Sequence, residues 1–289
     1  MILFLFIALS WGSINVPLIA VPNSSRYSLQ MVLDNLPELS PNFIPFLGSE
    51  TVIYREVGTN GQVLRDSLIG TWARLSQADI VIHNLAAIRF IRGVGSYDNL
   101  VAFGPGSDLV GQYGSVDFVR DGLQSRLILS SSEQSFLRDH CLPESGFGLR
   151  PRVIGSAMTF DGSYLSAHRS IWFTSNGKVL VLPDQDFENT FRDTGLLSRM
   201  NRRSPYNLTI DNCSTVWGLF PEISVTFSPS GRLVFYPSDY VLMMDNDVCQ
   251  LLIQVREGND IIQVNPLAVP GINVRTTNEE IIFCDSQIL

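Results

Sequence analysis

Four cysteines and three histidines carry the side chains of this chain that could form disulfides or bind a metal ion. The cysteines are Cys141, Cys213, Cys249 and Cys284. In an oxidising compartment they can form disulfides, whose connectivity sequence alone leaves open. The histidines are His83, His140 and His168, and they show no metal-ligand spacing. We therefore predict no metal site and no cofactor.

Common enzyme and nucleic-acid-binding signatures are missing from the sequence. It contains no Gly-x-Ser-x-Gly, phosphate-binding loop or dinucleotide fingerprint, and Gly104-Pro105-Gly106 is typical of a turn. The 289 residues carry a formal net charge of -8 and no basic stripe, which argues against a nucleic-acid partner.

The N-terminus and three sequons indicate the secretory pathway. Residues 2–11 form an apolar run of signal-peptide length, so we predict a signal peptide over residues 1–12. An uncleaved anchor or a buried strand are the alternatives. Asn-x-Ser/Thr sequons lie at Asn23, Asn207 and Asn212 and predict a secreted or lumenal glycoprotein. No second long apolar run occurs, so we expect no membrane span after signal removal.

Short apolar or alternating runs separated by Gly, Pro, Ser, Asn and Asp recur along the chain. Examples are residues 28–33, 125–130, 223–227 and 280–283. Their length and their content of Val, Ile, Leu and Phe are typical of strands. Helical spacing is rare and is best at residues 116–121 and 184–191. The sequence predicts an all-β protein with a few short helices.

Five segments, in order, resemble the pepsin-like aspartic proteases (peptidase family A1). Residues 54–66, 97–107 and 158–162 read YREVGTNGQVLRD, YDNLVAFGPGS and MTFDG. Cys213 is followed by LFPEISVTFSPSGRLVF, by Pro237 and Tyr240, and by Cys249. Residues 272–283 read INVRTTNEEIIF. The resemblance extends over roughly residues 16–283, which is nearly the whole chain.

The resemblance implies a bilobal fold. We expect an N-terminal β lobe over residues 13–148 and a C-terminal β lobe over residues 149–289. The N-terminal lobe should be trimmed, because the stretch between Asp34 and Tyr54 is short and lacks cysteine. A Cys213–Cys249 disulfide is implied in the C-terminal lobe. Cys141 and Cys284 remain as a second pair, which the sequence does not fix.

Aspartic proteolysis needs two carboxylates that share one proton across a water. Asp34 aligns with the first of these positions, although Asn35 and Leu36 replace the Thr and Gly that follow it in the family. Thr174 aligns with the second position, and its hydroxyl cannot act as a carboxylate. A literal Asp-Thr-Gly begins at Asp193 in an unsuitable context. Tyr54 corresponds to the tyrosine of the family's flap and is expected to line the cleft or to pack in the core.

These departures predict a protein without protease activity. We expect a secreted, monomeric, non-catalytic module that binds a peptide or a protein in the inherited cleft. The alternative is a divergent but active aspartic endopeptidase that uses Asp34 with a non-standard partner such as Asp193.

Overall fold

The computed structural model describes most of the chain as strands with short helices between them. The described residues are 13–21, 27–33, 42–49, 52–53, 73–75, 88–89, 99–121, 124–131, 146–149, 152–154, 157–164, 167–174, 178–204, 207–227, 231–258, 260–269 and 271–285. We refer to the described residues up to 131 as the first half and to those from 146 onward as the second half.

Strands account for most of both halves. In the first half they are β1 (Ile14–Ala20), β2 (Tyr27–Leu33), β3 (Asn42–Phe46), β4 (Val52–Ile53), β5 (Ala73–Leu75), β6 (Ile88–Arg89), β7 (Asn99–Ala102), β8 (Ser115–Asp121) and β9 (Gln124–Ser130). In the second half they are β10 (Gly146–Leu149), β11 (Arg152–Ile154), β12 (Ala157–Tyr164), β13 (Ala167–Phe173), β14 (Leu180–Pro183), β15 (Met200–Ser204), β16 (Asn207–Asp211), β17 (Ile223–Phe227), β18 (Gly231–Phe235), β19 (Val241–Met244), β20 (Val248–Leu251), β21 (Ile253–Arg256), β22 (Ile261–Val264), β23 (Ile272–Thr277) and β24 (Ile281–Asp285). The protein is therefore all-β, as predicted.

The described helices are short. They are α1 (Asp108–Tyr113), α2 (Asp184–Phe191), α3 (Cys213–Val216) and α4 (Pro237–Tyr240), with single 3-10 turns at Arg192–Thr194, Trp217–Leu219 and Pro266–Ala268. The helix predicted over residues 184–191 is confirmed as α2. Among the residues described, no helix is long and apolar enough to cross a membrane.

The helix predicted over residues 116–121 is wrong, because this segment is strand β8. Its apolar residues do not alternate with polar ones, and Val116, Phe118 and Val119 are all fully buried. Val116 and Phe118 point to one face of β8, Asp117 and Val119 point to the other, and all four are fully buried, so both faces of the strand are covered. A strand that is buried on both faces loses the period of two that would identify it in sequence.

The two halves repeat one strand arrangement. In the first half, β2 pairs antiparallel with β5 and β3, β3 runs parallel to β7, and β4 pairs antiparallel with β7 and parallel with β6. In the second half, β12, β17, β13, β22, β14 and β21 occupy the corresponding places with the same strand directions. Every pairing of the first set therefore has a counterpart in the second.

The halves are joined by a continuous antiparallel sheet in the order β10-β24-β23-β8-β9-β1. Its central pair, β8 with β23, places Val116 opposite Thr276 and Phe118 opposite Val274. Asp117 and Arg275 face each other between these two pairs. Strands β9 and β1 continue the sheet on one side, and β24 and β10 continue it on the other. One cluster of buried apolar side chains runs through both halves.

The second half contains a further sheet, in the order β15-β16-β20-β19. Cys213, which begins α3, forms a disulfide with Cys249 in β20, with Cα atoms 4.9 Å apart. This is the pairing that the resemblance implied. A disulfide fits a protein that folds outside the reducing cytosol. Cys284 is also disulfide-bonded, and Cys141, its expected partner, lies outside the described residues.

Candidate functional site

The hydrogen-bond registers identify which residues of the two halves correspond. Pro45 in β3 pairs with Val101, which also pairs with Val52. Phe173 in β13 pairs with Val264, which also pairs with Leu180. Val52 lies seven positions after Pro45, and Leu180 lies seven positions after Phe173. The turns that follow β3 and β13 therefore have equal length and equivalent positions.

Phe46 is the residue of the first half that corresponds to Thr174. Phe46 directly follows Pro45, and Thr174 directly follows Phe173, so the two residues occupy the same place relative to the pairings just compared. At this place the strand ends and the turn begins. The resemblance implied a carboxylate at two such equivalent turns. The registers place a phenyl ring at one of them and a hydroxyl at the other.

The registers make Phe46 the counterpart of Thr174, whereas the alignment made from sequence assigned Asp34 to that position. Asp34 lies outside the described residues and directly follows β2. The counterpart of β2 is β12, because Leu29 pairs with Phe43 as Phe160 pairs with Ile171. The strand that corresponds to β13 is β3, so the first site position moves from Asp34 to Phe46.

Gly48 allows the turn after β3 to accommodate the Phe46 ring. A Cβ atom on Gly48 would lie 2.0 Å from Cε2 of Phe46, so any side chain there would displace the ring. The Phe46 carbonyl accepts hydrogen bonds from the Gly48 N–H at 3.0 Å and from the Phe103 N–H at 3.1 Å. The Gly104 N–H donates to the Gly48 carbonyl at 2.8 Å. The turn is thus fastened to the residues that follow β7, and Phe46 itself is half-buried.

Thr174 is held by the corresponding strand of the second half. Its N–H donates to the Val264 carbonyl at 2.9 Å, and Thr174 is half-buried. After the turn, Lys178 donates through Nζ to the Leu251 carbonyl at 3.4 Å. Burial lowers the pKa of Lys178, because desolvation disfavours its charged form.

An ion pair fixes β13 to helix α2. Arg169 donates a hydrogen bond from Nη2 to one carboxylate oxygen of Asp186 at 3.0 Å, and its Nε lies 2.7 Å from the other oxygen. Asp186 is buried, whereas the Asp260 carboxylate, 2.6 Å from Nη1 of Arg169, is 96% exposed. The hydrogen bond with Asp186 raises the pKa of Arg169. A hydrogen-bonded ion pair of this kind restricts the orientation of the strand that leads to Thr174.

The literal Asp-Thr-Gly motif at Asp193 ends a helix. Asp193 is exposed in the 3-10 turn that follows α2, and the Thr194 hydroxyl donates to the Phe191 carbonyl at 2.7 Å. Gly195 adopts a left-handed conformation with φ 72°, which is common for glycine at helix C-termini. These residues cap a helix in solvent.

Other predicted site residues cannot be placed. Tyr54, the expected cleft tyrosine, lies outside the described residues. Among the part of the chain that is described, no group of three His, Cys, Asp or Glu residues could hold a metal ion. The registers did reveal Phe46, which sequence reasoning had missed. The signal available in the sequence was Phe-Leu-Gly-Ser at residues 46–49 after an apolar run, with its glycine two positions after Phe46.

No family model matches the chain, and no curated protein matches it. Among solved structures it is similar to conglutin gamma, described as a unique basic 7S globulin from lupine seeds. The TM-score is 0.60 and the sequences are 8% identical, over 94% of this chain and 95% of that chain. The likeness establishes a shared fold. At this identity it carries no function from one protein to the other.

Proposed function

We propose that this chain is a secreted, pepsin-like protein of two lobes that has no protease activity and binds a peptide or protein between the lobes. The observation that carries the proposal is that the two equivalent turns begin with Phe46 and Thr174. Neither side chain can hold the charge or share the proton that aspartic proteolysis requires. The repeated strand arrangement and the sheet that joins its two copies support the bilobal fold.

A half-buried aromatic ring favours binding over hydrolysis at this position. Phe46 brings apolar surface to the turn where the resemblance would place a carboxylate and its water. Aromatic side chains contribute strongly to recognition because a rigid ring buries a large area at a small entropic cost. Thr174 adds a hydroxyl that can donate or accept a hydrogen bond. These are suitable contacts for a peptide segment.

The active-enzyme alternative depends on Asp34, which follows β2, and on Asp193, which caps a helix in solvent. A cleavage assay separates the two functions. Folded, disulfide-bonded protein is incubated with a peptide library between about pH 3 and 6, the range in which a carboxylate pair is half-protonated. We expect no cleavage. Cleavage that disappears in the Asp34→Asn variant would favour the enzyme.

Binding is tested by titrating the protein into fluorescent peptides selected from a displayed library of extended sequences. We expect saturable binding that the Phe46→Ala variant weakens by about tenfold, the scale of one interfacial aromatic side chain. Met243→Ala serves as a matched control, because Met243 is a 51% exposed apolar residue of β19 in the separate four-stranded sheet. Absence of saturable binding, or equal weakening by both variants, would contradict the proposal.

A further inference from the structure

Two of the three sequons lie at the two ends of strand β16 in the four-stranded sheet of the second half. Asn207 begins β16, Asn212 immediately precedes α3, and both are exposed. Asn23, the third predicted site, lies outside the described residues. We propose that Asn207 carries an N-linked glycan, whereas glycosylation of Asn212 competes with folding and stays minor. The proposal rests on the expectation that the chain enters the secretory pathway, and it is independent of the binding function.

Asn207 stays accessible after the sheet has formed. Burial alternates along β16, with Leu208 and Ile210 inside and Asn207 and Asp211 outside. The Asn207 side chain accepts a surface hydrogen bond from Nε2 of Gln250 at 3.2 Å. Folding therefore places no buried contact on this side chain, and a bulky glycan projects into solvent.

In the folded chain, contacts hold both of the other residues of the Asn212 sequon, Cys213 and Ser214. Cys213 is buried and disulfide-bonded to Cys249, and its N–H donates to the Asp247 carbonyl at 2.8 Å. The Asp247 carboxylate accepts the Ser214 N–H at 2.8 Å and the Ser214 hydroxyl at 3.0 Å. The hydroxyl that defines the sequon is thus engaged by a charged acceptor, and such hydrogen bonds are the strong ones.

The backbone of this region is equally restricted. Asn212 and Asp247 each have φ 58°, a left-handed conformation that is uncommon outside glycine and is adopted mainly by Asn and Asp among the other residues. A transferase that binds Asn212, Cys213 and Ser214 together must separate them from Asp247 and from Cys249. Asn212 can therefore be modified before the disulfide closes and poorly afterwards.

The transfer itself requires a lipid-linked oligosaccharide as donor. The side-chain amide nitrogen of the asparagine attacks the anomeric carbon of the sugar, and a C–N bond forms. The C–O bond to the lipid pyrophosphate breaks, the pyrophosphate leaves with the electron pair, and the amide proton passes to a base of the transferase. Asn207 and Asn212 undergo the same reaction, so their occupancies differ only through access to the enzyme.

The full-length chain is expressed in secreting eukaryotic cells, and the occupancy of each sequon is measured by mass spectrometry after enzymatic deglycosylation in heavy-oxygen water. We expect Asn207 to be occupied about fivefold more than Asn212. The Asp247→Gly variant tolerates the left-handed backbone and removes both side-chain acceptors of Ser214, so it should raise Asn212 occupancy about twofold or more. Asp245→Gly is the matched control, because Asp245 lies in the same exposed turn. Adding reductant during synthesis of the natural sequence should also raise Asn212 occupancy, since it delays the disulfide.

Three results would overturn the inference: an empty Asn207, equal occupancy of the two sites in the natural sequence, or an Asn212 occupancy that neither Asp247→Gly nor reductant changes. Failure to enter the secretory pathway is distinguishable from these results, because the chain would then stay inside the cell without glycan at any sequon. In that event, the occupancies are measured again on the same chain fused to a heterologous signal peptide.

Discussion

The turns after β3 and β13 are flanked by equivalent strand pairings and begin with different side chains. Both follow a strand that runs parallel to its neighbour, and both return to the same neighbour after the same number of residues. One begins with Phe46 and the other with Thr174. The comparison teaches that strand pairing and the buried core preserve this arrangement, because the chemistry of the turn can change while the registers stay equal.

The described part of the second half also contains a sheet and a disulfide that the described part of the first half lacks. The second half adds the sheet β15-β16-β20-β19 and the Cys213–Cys249 disulfide. Among the described strands of the first half, none corresponds to this sheet. In the second half, this sheet and its disulfide are formed by residues that lie between β14 and β21 in the sequence.

The largest effect should come from removing that disulfide. Replacing Cys213 and Cys249 with serine frees a loop with a sequence separation of 36. The chain-entropy estimate for a loop of this length is about 4 kcal/mol of the free energy of unfolding. Guanidinium unfolding of the double variant measures it, and added reductant should change the variant less than the natural sequence. A loss below about 1 kcal/mol would show that the sheet holds the loop without the bond.

A somewhat smaller loss is expected from Arg169→Met. The substitution keeps an apolar stem of similar length and leaves the buried Asp186 carboxylate without its partner, which should cost about 3 kcal/mol. Urea unfolding provides the measurement. Asp260→Asn is the matched control, because it removes the 96% exposed partner of the same arginine and should change stability by less than about 0.5 kcal/mol. Similar losses in both variants would contradict the assigned importance of Asp186.

A double-mutant cycle sharpens the comparison of the two turns directly. If they face each other, Phe46→Asp and Thr174→Asp place two carboxylates close together, and their repulsion raises the pKa of one of them. The coupling free energy at pH 7 should be about 1 to 2 kcal/mol and should vanish near pH 3, where both groups are protonated. Thr226→Asp replaces an exposed residue of β17 and serves as the control partner for Phe46→Asp.

Additive effects of Phe46→Asp and Thr174→Asp at both pH values would show that the two turns lie apart. This result would leave the equivalence of the two registers intact, because the equivalence rests on strand pairing alone. It would contradict the proposed binding cleft between the lobes, because the centre of that cleft requires the two turns to face each other.

Much of the fold could be predicted from sequence where the hydrophobic pattern is simple. The segment 223–227 was predicted as a strand and coincides with β17, because buried and more exposed residues alternate along it. The segment 116–121 could not be read correctly, since burial on both faces of β8 removes the alternation. The Cys213–Cys249 disulfide was accessible only through the resemblance, because spacing does not determine connectivity.

The candidate site was less predictable for a chemical reason. Catalytic positions of an aspartic protease are predicted from carboxylates that follow an apolar strand, and Asp34 fits this pattern. The equivalent residue is Phe46, which carries no functional group that sequence could single out. Gly48 is the remaining trace of the turn, and its meaning depends on a contact with the Phe46 ring that exists only in the folded chain. Hydrogen-bond registers were needed to identify the position.

The smallest effect concerns Asp239, through which the second half interacts with the first. Its carboxylate accepts the Tyr236 N–H at 2.7 Å at the start of α4. Burial raises the pKa of Asp239 above the ordinary value of 3.8, although the hydrogen bonds from Tyr236 and Ser238 and the charge of Arg120 in β8 oppose the shift. Between these two pKa values the folded chain binds more protons than the unfolded chain, so stability falls as the pH rises. Asp239→Asn keeps an acceptor for the Tyr236 N–H and removes the titrating carboxylate.

The free energy of unfolding of this variant, relative to that of the natural sequence, should rise by about 1 kcal/mol or less between pH 3 and pH 7. Urea unfolding at each pH unit measures the difference. A constant difference across this range would mean that Asp239 titrates alike in the folded and unfolded states. A growing loss towards pH 7 would mean that the hydrogen bonds from Tyr236 and Ser238, together with Arg120, outweigh burial.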